Sequence, residues 1–299
     1  MKFDHRIIGL PMQFDGAAYA GRIAIIVGGT GGLGRALSQR LALLGARVIV
    51  VGQTFRDDGV TNIEFIQADL SLLRQARRVA DMLPAEVADL LIFTTGIFAA
   101  PTREVTAEGI ERDMAVSFLN RLVMLRAMAP RLGVSRSNKQ FKPRIFVMGH
   151  PGTGQAGNLS DLNSETGYKG FSAHMNTVAG NEALVIESAR RYPMLEIFGL
   201  NPGIVKTSIR SNFLGEGSLK HRLAEGIIGI VMQSPERYAK RIAQLLMTPN
   251  IPGLSGAMFN NKGLEIAHSP KMNDSYVTDY IAASETLVMR AGDVIDSAV

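Results

Sequence analysis

Short apolar segments of strand length alternate along the chain with longer segments in which apolar residues recur at helical spacing. A buried parallel sheet produces this alternation, because its strands are apolar on both faces and crossover helices join them. The pattern predicts about seven strands, at Ile23–Val27, Arg47–Val51, Ile63–Gln67, Leu90–Phe93, Arg144–Met148, Glu196–Leu200 and Ala257–Asn260. It predicts helices near 33–45, 71–83, 107–131, 173–191, 235–247 and 275–291. These elements indicate an α/β fold, a single doubly wound parallel sheet with helices on both faces.

The amino-acid composition limits the domain size, the partners and the kinds of metal site that can be expected. With 299 residues, 46% of them hydrophobic, the chain is long enough for one large domain with its own core. The net charge of +5 comes from scattered residues, so no nucleic-acid partner is expected. Without cysteine, disulfides and thiolate metal ligands are excluded. Asp161 opens a run like a calcium loop, but Thr166 and Ser172 stand where such a loop needs Gly and Glu, so we predict no metal site.

The chain shows neither a secretory signal nor a membrane span. No stretch approaches the roughly 18 apolar residues that cross a bilayer. The first twenty residues carry acids and lack an uninterrupted apolar segment. A cytoplasmic protein without a membrane partner is therefore expected.

A glycine-rich turn joins the first strand to the first helix. Gly28, Gly32 and Gly34 give the spacing GxxxGxG, with Thr30 and Leu33 between them. Glycine is needed because the chain turns tightly and backbone N–H groups must approach a pyrophosphate at the positive end of a helix. In this context of strand, turn and helix, the motif predicts a Rossmann-type dinucleotide site.

The end of the second strand bears on which ribose is recognised. A carboxylate there would bind a 2′-hydroxyl and repel a 2′-phosphate, but the strand ends in Gly-Gln-Thr, with Gln53 at its centre. Arg35 and Arg56 could contact a 2′-phosphate through charge-assisted hydrogen bonds. NADP(H) is therefore favoured, with NAD(H) left open, because Arg35 could be a surface residue and two acidic residues follow Arg56.

With these features the sequence resembles the short-chain dehydrogenase/reductase family, particularly its retinol-dehydrogenase-like branch, from about Ile23 to Asn260. Three more motifs carry the resemblance: Asp69-Leu70 after the third strand, Thr95-Gly96 after the fourth, and NPGIVKT after the sixth. The resemblance implies that Asp69, with Leu70, meets the adenine, and that Thr95-Gly96 replaces the family's Asn-Ala-Gly. It also implies a segment that closes over the nicotinamide and contains Pro202, Gly203, Ile204 and Thr207. In this segment, Thr207 and the Ile204 backbone would hold the carboxamide.

The family's catalytic Asn, Ser, Tyr and Lys are missing from the matching positions. Ser117 stands at the position of the Asn, and Gly149-His150 replaces the serine pair. The tyrosine and lysine of the Tyr-x-x-x-Lys motif fall on His174 and Val178 in one alignment.

A second alignment of this helix, with one residue of slack, places Phe171 and Met175 at the two positions. We prefer the first. Its length difference falls in a loop, whereas an insertion inside a helix would rotate all later side chains by about 100°.

His174, His150 and Ser117 are therefore the predicted catalytic residues of an atypical active site. Imidazole, with an unperturbed pKa of about 6.5, donates and accepts protons at neutral pH without the lysine that a tyrosine needs. The resemblance then implies an NADP(H)-dependent oxidoreductase that transfers hydride to a carbonyl, imine or activated alkene. Two alternatives stay open: a non-redox cyclase or isomerase on the same scaffold, and a catalytically inactive dinucleotide-binding protein.

Three parts are expected along the chain: an N-terminal extension at 1–20, the Rossmann-type dinucleotide-binding and catalytic domain at 21–262, and a C-terminal helical tail at 263–299. Within the domain, 208–234 is either a substrate flap or an ordinary surface connection. Its scattered apolar residues favour an apolar small-molecule substrate, although they would equally serve packing. Family members often form dimers or tetramers through the helices near 107–131 and 173–191, so a homodimer or homotetramer is expected unless the tail covers that surface.

Overall fold

An eight-stranded sheet forms the centre of the chain in the computed structural model, which describes residues 16–203 and 234–296. The strands are β1 (Ile23–Val27), β2 (Arg47–Gly52), β3 (Ile63–Gln67), β4 (Leu90–Phe93), β5 (Arg144–Met148), β6 (Glu196–Leu200), β7 (Met258–Phe259) and β8 (Glu265–Ile266). Their order is β3-β2-β1-β4-β5-β6-β7-β8, parallel except for the antiparallel pair of β7 and β8. The predicted α/β class is confirmed. The expected seven strands omitted β8, because two residues are too few to form a hydrophobic pattern.

Helices cover both faces of the sheet. One face carries α1 (Gly32–Leu43) and α6 (Pro235–Leu246). The other carries α2 (Leu73–Met82), α3 (Arg112–Met114), a π-helical turn (Ala115–Leu119), α4 (Asn120–Met128), α5 (Gly170–Arg191) and α7 (Asp274–Asp296). Single turns of 3₁₀-helix lie at Gly16–Tyr19, Ala85–Val87, Ala129–Arg131 and Leu159–Asp161.

Strands β1 and β4, at the centre of the sheet, are apolar throughout because they separate two cores. In β1, Ile25 and Val27 pack against the α2, α4 and α5 side, whereas Ala24 and Ile26 pack against α1 and α6. Successive side chains of a strand point to opposite faces, so a strand covered on both faces carries apolar residues at nearly every position. The exceptions in β5 and β6, Arg144 and Glu196, are buried and pair with each other. This explains why the strand boundaries could be read from the sequence.

The order of the strands fixes where a ligand can bind. The chain passes from β1 to one side for β2 and β3, then returns to the other side of β1 for β4, β5 and β6. A crevice opens outside the carboxyl ends of the strands where the direction reverses. The glycine-rich turn after β1 and the Thr94-Thr95 segment after β4 flank that crevice.

The C-terminal helix α7 packs on the main body. Tyr280 lies edge-on to Phe118, with ring centroids 6.1 Å apart, and its hydroxyl donates to the backbone oxygen of Asn176 at 2.6 Å. Arg126 of α4 donates to Glu285 of α7 at 2.9 Å. The tail therefore covers part of the surface formed by α4 and α5. The oligomeric state and the three-part division of the chain stay predictions.

None of the helices in the described ranges combines the length and apolarity needed to cross a bilayer. Of the residues and segments predicted from the sequence, Ile204, Thr207 and all of the 208–234 segment except Ser234 lie outside the described residues, as do the first fifteen residues of the N-terminal extension.

Candidate functional site

A cavity of about 540 Å³ occupies the crevice at the carboxyl ends of β1, β2, β4 and β5. Most of the predicted site residues line it, namely Gly28, Thr30, Gly32, Leu33, Gly34, Gln53, Asp69, Leu70, Thr95, Gly96, Ser117, His150, His174, Pro202 and Gly203. The fold therefore brings the predicted cofactor and catalytic residues together around one space.

The glycine turn leaves no room for side chains at two positions. A Cβ on Gly34 would lie closer than 3.0 Å to the Gly28 carbonyl oxygen and the Thr94 hydroxyl. Gly28 has a φ of 92°, and a Cβ there would meet the Thr95 nitrogen at 2.5 Å. Helix α1 begins directly after this turn, and no side chain among the described residues caps its first amides. Those N–H groups can bind a pyrophosphate, as the motif predicts.

We expect Gly34→Ala to lower the free energy of unfolding by about 1–3 kcal/mol, because the added methyl group must displace backbone atoms. Gly31→Ala is the matched control. Gly31 has an extended backbone and open space where a Cβ would lie, so its substitution should change stability by no more than about 0.5 kcal/mol. Urea unfolding without dinucleotide measures both. Equal losses in the two variants would contradict the packing argument.

The end of the cavity nearest β2 and β3 contains an ionised carboxylate. Asp69 accepts hydrogen bonds from the Ser71 backbone at 2.9 Å, the Ser71 hydroxyl at 2.7 Å and Gln53 Nε2 at 3.0 Å. Burial raises the pKa of Asp69, but these hydrogen bonds outweigh it and hold the pKa below its ordinary value. Gln53 and Asp69 are thus joined by a hydrogen bond at the edge of the cavity. The resemblance implies that the adenosine binds at this edge.

Arg35 has a partner within the chain. It donates through Nε and Nη2 to Asp57 at 2.7–3.0 Å, and Gln39 donates to the same carboxylate at 2.8 Å. The hydrogen bond from Arg35 lowers the pKa of Asp57. Neither Arg35 nor Arg56 lines the cavity, unlike the other predicted cofactor residues in the described ranges. A 2′-phosphate at Arg35 would therefore share its guanidinium with Asp57.

One face of α5 lines the opposite end of the cavity. His174, Thr177, Val178 and Asn181 all face the space, at the spacing of three, four and seven residues that puts side chains on one side of a helix. Phe171, from the alternative alignment, is 65% exposed, and neither it nor the Met175 of that alignment lines the cavity. The geometry agrees with the alignment that places His174 and Val178 at the tyrosine and lysine positions.

His174 is hydrogen-bonded to a carboxylate that sequence reasoning missed. Its Nδ1 lies 2.7 Å from Oδ2 of Asp113, whose side chain is fully buried. The other oxygen of Asp113 accepts a short hydrogen bond from the Ser117 hydroxyl. Ser117 in turn accepts from the backbone nitrogen of Ile97 at 3.0 Å. The imidazole is thus oriented by Asp113 directly, and by Ser117 and the Ile97 backbone through Asp113.

Asp113 and Ser117 are four positions apart, the spacing at which side chains meet on one face of a helix, and the helix that carries them is irregular. The π-helical turn Ala115–Leu119 interrupts the helix between α3 and α4, and Ser117 lies in its middle. The Ser117 carbonyl oxygen accepts from Nδ2 of Asn181 at 2.8 Å, which ties the turn to α5. Such π-helical turns are frequent at functional sites, because they change which side chains face the ligand.

His150 enters the cavity from the loop after β5. The buried Glu182 of α5 holds this loop, since its carboxylate accepts from the Gly152 nitrogen at 3.0 Å. The same carboxylate accepts from the backbone nitrogen and the hydroxyl of Ser269 at 2.5 and 2.8 Å. His150 and His174 therefore reach one cavity from separate, anchored elements.

A second residue that sequence reasoning missed is Arg121. It is 3% exposed, and it donates to the carbonyl oxygens of Thr95 and Met148 and to the Asn181 side-chain oxygen, the last at 2.8 Å. Burial lowers the pKa of Arg121 to about 9, against the opposing charge of Asp113. Among the described residues, no group of three or more His, Cys, Asp or Glu side chains could hold a metal ion.

Comparison with known proteins identifies a matching family model and relatives of similar sequence. The family model described as short chain dehydrogenase matches residues 22–215. An uncharacterized oxidoreductase of Saccharomyces cerevisiae, YKL107W, is 49% identical over 270 residues, which cover 89% of this chain and 87% of the yeast protein. Human retinol dehydrogenase 14 is 27% identical over 307 residues, covering 90% of this chain and 86% of the human protein.

Solved structures are similar in fold. A short-chain dehydrogenase/reductase from Serratia marcescens superposes with a TM-score of 0.59 at 19% identity, covering 81% of this chain and 97% of the bacterial one. Aldohexose dehydrogenase from Thermoplasma acidophilum superposes with a TM-score of 0.61 at 18% identity, covering 83% and 94% of the two chains.

Proposed function

This chain belongs to the short-chain dehydrogenase family, and we propose that it is an NADP(H)-dependent oxidoreductase that transfers hydride to a carbonyl, imine or activated alkene of an apolar small molecule. One observation carries the proposal. A histidine oriented by a buried aspartate lies in the same cavity as a glycine turn suited to a pyrophosphate. The 49% identical yeast relative is itself named an oxidoreductase.

His174 is the acid/base of the proposed reaction. In this proposal the Asp113 carboxylate accepts a hydrogen bond from Nδ1–H of His174, which holds the neutral imidazole in one tautomer and leaves Nε2 to exchange a proton with the substrate. A bound reduced nicotinamide would supply the hydride to the acceptor atom of the substrate. In the direction of reduction, His174 would start as the imidazolium, give its Nε2 proton to the carbonyl oxygen and end as the neutral imidazole. In the direction of oxidation, the neutral Nε2 would accept the proton of the alcohol. The Asp113 carboxylate lies beside Nδ1 and is the counter-charge of the imidazolium in either direction.

The remaining residues support this role. Ser117 fixes the second oxygen of Asp113, which prevents the carboxylate from rotating away from His174. His150, held on its separate loop, would polarise the substrate oxygen from another wall of the cavity. Val178, at the lysine position of the family pattern, adds an apolar surface but no charge.

A test of the function uses the purified protein with NADPH deuterated at the transferred position and a panel of apolar aldehydes, ketones, imines and enones. We expect loss of the reduced-nicotinamide absorbance and deuterium in the product. Conversion without label would indicate the non-redox alternative. If neither reduced nor oxidised dinucleotide binds at micromolar concentration, the proposal fails.

NADP(H) is the proposed cofactor because no carboxylate ends β2 and because Arg35 is near the glycine turn. Its bonds to Asp57 use Nε and Nη2, so Nη1 is the part left for a phosphate. We expect NADPH to bind about tenfold more tightly than NADH, the value of one charge-assisted hydrogen bond. Arg35→Gln should remove this preference, whereas Arg47→Gln, which removes an exposed partner of Glu64, should retain it. Titration calorimetry measures each Kd, and equal affinities in the wild type would contradict the assignment.

A further inference from the structure

Arg121 is the exception among the buried arginines. Four arginines of the described residues are less than 9% exposed, and three of them pair with a carboxylate. Arg22 and Arg136 pair with Asp89, and Arg144 pairs with a glutamate. Arg121 donates only to carbonyl, amide and hydroxyl oxygens. A buried charge without a bonded counter-ion is costly to fold, and this one faces the cavity.

Arg121 lies at a defined end of the cavity. Two of its partners, Thr95 and Met148, are at the carboxyl ends of β4 and β5. Gln53 and Asp69 lie on the other side of β1, after β2 and β3. In a doubly wound fold the ribose of the adenosine lies at the end of the second strand, which is the Gln53 side, so the nicotinamide lies on the side of Arg121 and His174.

The two redox forms of a nicotinamide differ in charge. The oxidised ring carries a positive charge and the reduced ring is neutral, so a fixed cation nearby disfavours the oxidised form. Water screens the effect of a charge at a surface, but Arg121 is only 3% exposed, so its charge keeps much of its effect on a group in the cavity. Asp113 adds an opposing negative charge near the same end. Removing the charge of Arg121 alone therefore makes the electrostatic potential at the nicotinamide end more negative, which favours the oxidised form.

We propose that the Arg121 guanidinium is a fixed positive charge at the nicotinamide end of the cavity and shifts the relative affinity of the site toward the reduced dinucleotide and away from the oxidised one. This rests on the proposed cofactor site. Arg121 is a positioning residue here: it links the ends of β4 and β5 to Asn181 of α5, and its charge acts on the bound ring.

The experiment measures Kd for NADPH and NADP⁺ with the wild type, Arg121→Gln and Arg121→Lys. We expect Arg121→Gln to reduce the ratio of the Kd for NADP⁺ to the Kd for NADPH about tenfold relative to the wild type, equivalent to about 30 mV for a two-electron couple. Arg121→Lys, which keeps the charge, should retain the ratio within about threefold. Arg126→Gln, in the same helix but paired with Glu187 and Glu285, controls for general destabilisation and should leave the ratio unchanged.

Each outcome decides a different point. Failure of the wild type to bind either form would overturn the proposed function itself. Binding of both forms with an unchanged ratio in Arg121→Gln, or equal losses for both, would show that Arg121 only crosslinks the fold. A ratio that shifts toward tighter binding of NADPH in Arg121→Gln would overturn the inference as well.

Discussion

Replacing His174 with phenylalanine is expected to lower kcat for hydride transfer by about 10²–10⁴-fold, the usual contribution of one acid/base group. Phenylalanine keeps a ring beside Phe98, whose centroid is 4.5 Å from that of the imidazole, so the packing of the cavity wall is preserved. It removes both ring nitrogens. The dinucleotide Kd should therefore stay within about threefold of wild type, because the glycine turn is untouched.

His268 offers a matched control for this substitution. It is exposed, lies outside the cavity and contacts the Gly256 carbonyl oxygen through Nε2 at 2.9 Å. His268→Phe should retain wild-type kcat. Single-turnover rates with preloaded NADPH separate the chemical step from product release. Full activity in His174→Phe would show that the proton comes from another group.

The strands could be predicted from the sequence because they are buried on both faces. Continuous apolar runs such as 23–27 and 90–93 are typical of strands that helices cover on both faces. The glycine turn was equally readable, because its spacing between a strand and a helix is itself the signal. The contacts that require Gly28 and Gly34 include Thr94 and Thr95, which are distant in sequence. β8 was missed because its two residues are held by pairing with β7 rather than by a pattern of their own.

The charged residues of the site were harder to predict, because their partners are distant in sequence. Asp113 pairs with a residue 61 positions away, and Arg121 with one 60 positions away. A signal did exist: both are charged residues in a helical segment that is otherwise largely apolar, and a buried charge needs a partner. For Arg35 the sequence left two interpretations, a phosphate ligand or a surface residue. Its bond to Asp57 depends on how the loop after β2 folds.

Substituting Asp113 with asparagine should lower kcat by an amount comparable to the loss of His174, about 10²–10⁴-fold. The amide is nearly the same size as the carboxylate, so the cavity keeps its shape. Its NH₂ group can donate to Nδ1 of His174, which would move the proton to Nε2 and reverse the tautomer. The imidazolium that forms during turnover would also lose its counter-charge. The rate of hydride transfer at saturating NADPH and substrate measures the loss.

The double variant Asp113→Asn/His174→Phe tests whether the two residues act as a unit. If Asp113 acts only through His174, the double variant should be no slower than His174→Phe alone, because groups that work together give strongly non-additive losses. Multiplied losses would instead mean that Asp113 has a separate role, for example through Ser117. Since Asp113 is fully buried, thermal unfolding of each variant must accompany the kinetics. A wild-type rate in Asp113→Asn would contradict the proposed mechanism, which requires Asp113 to orient the imidazole.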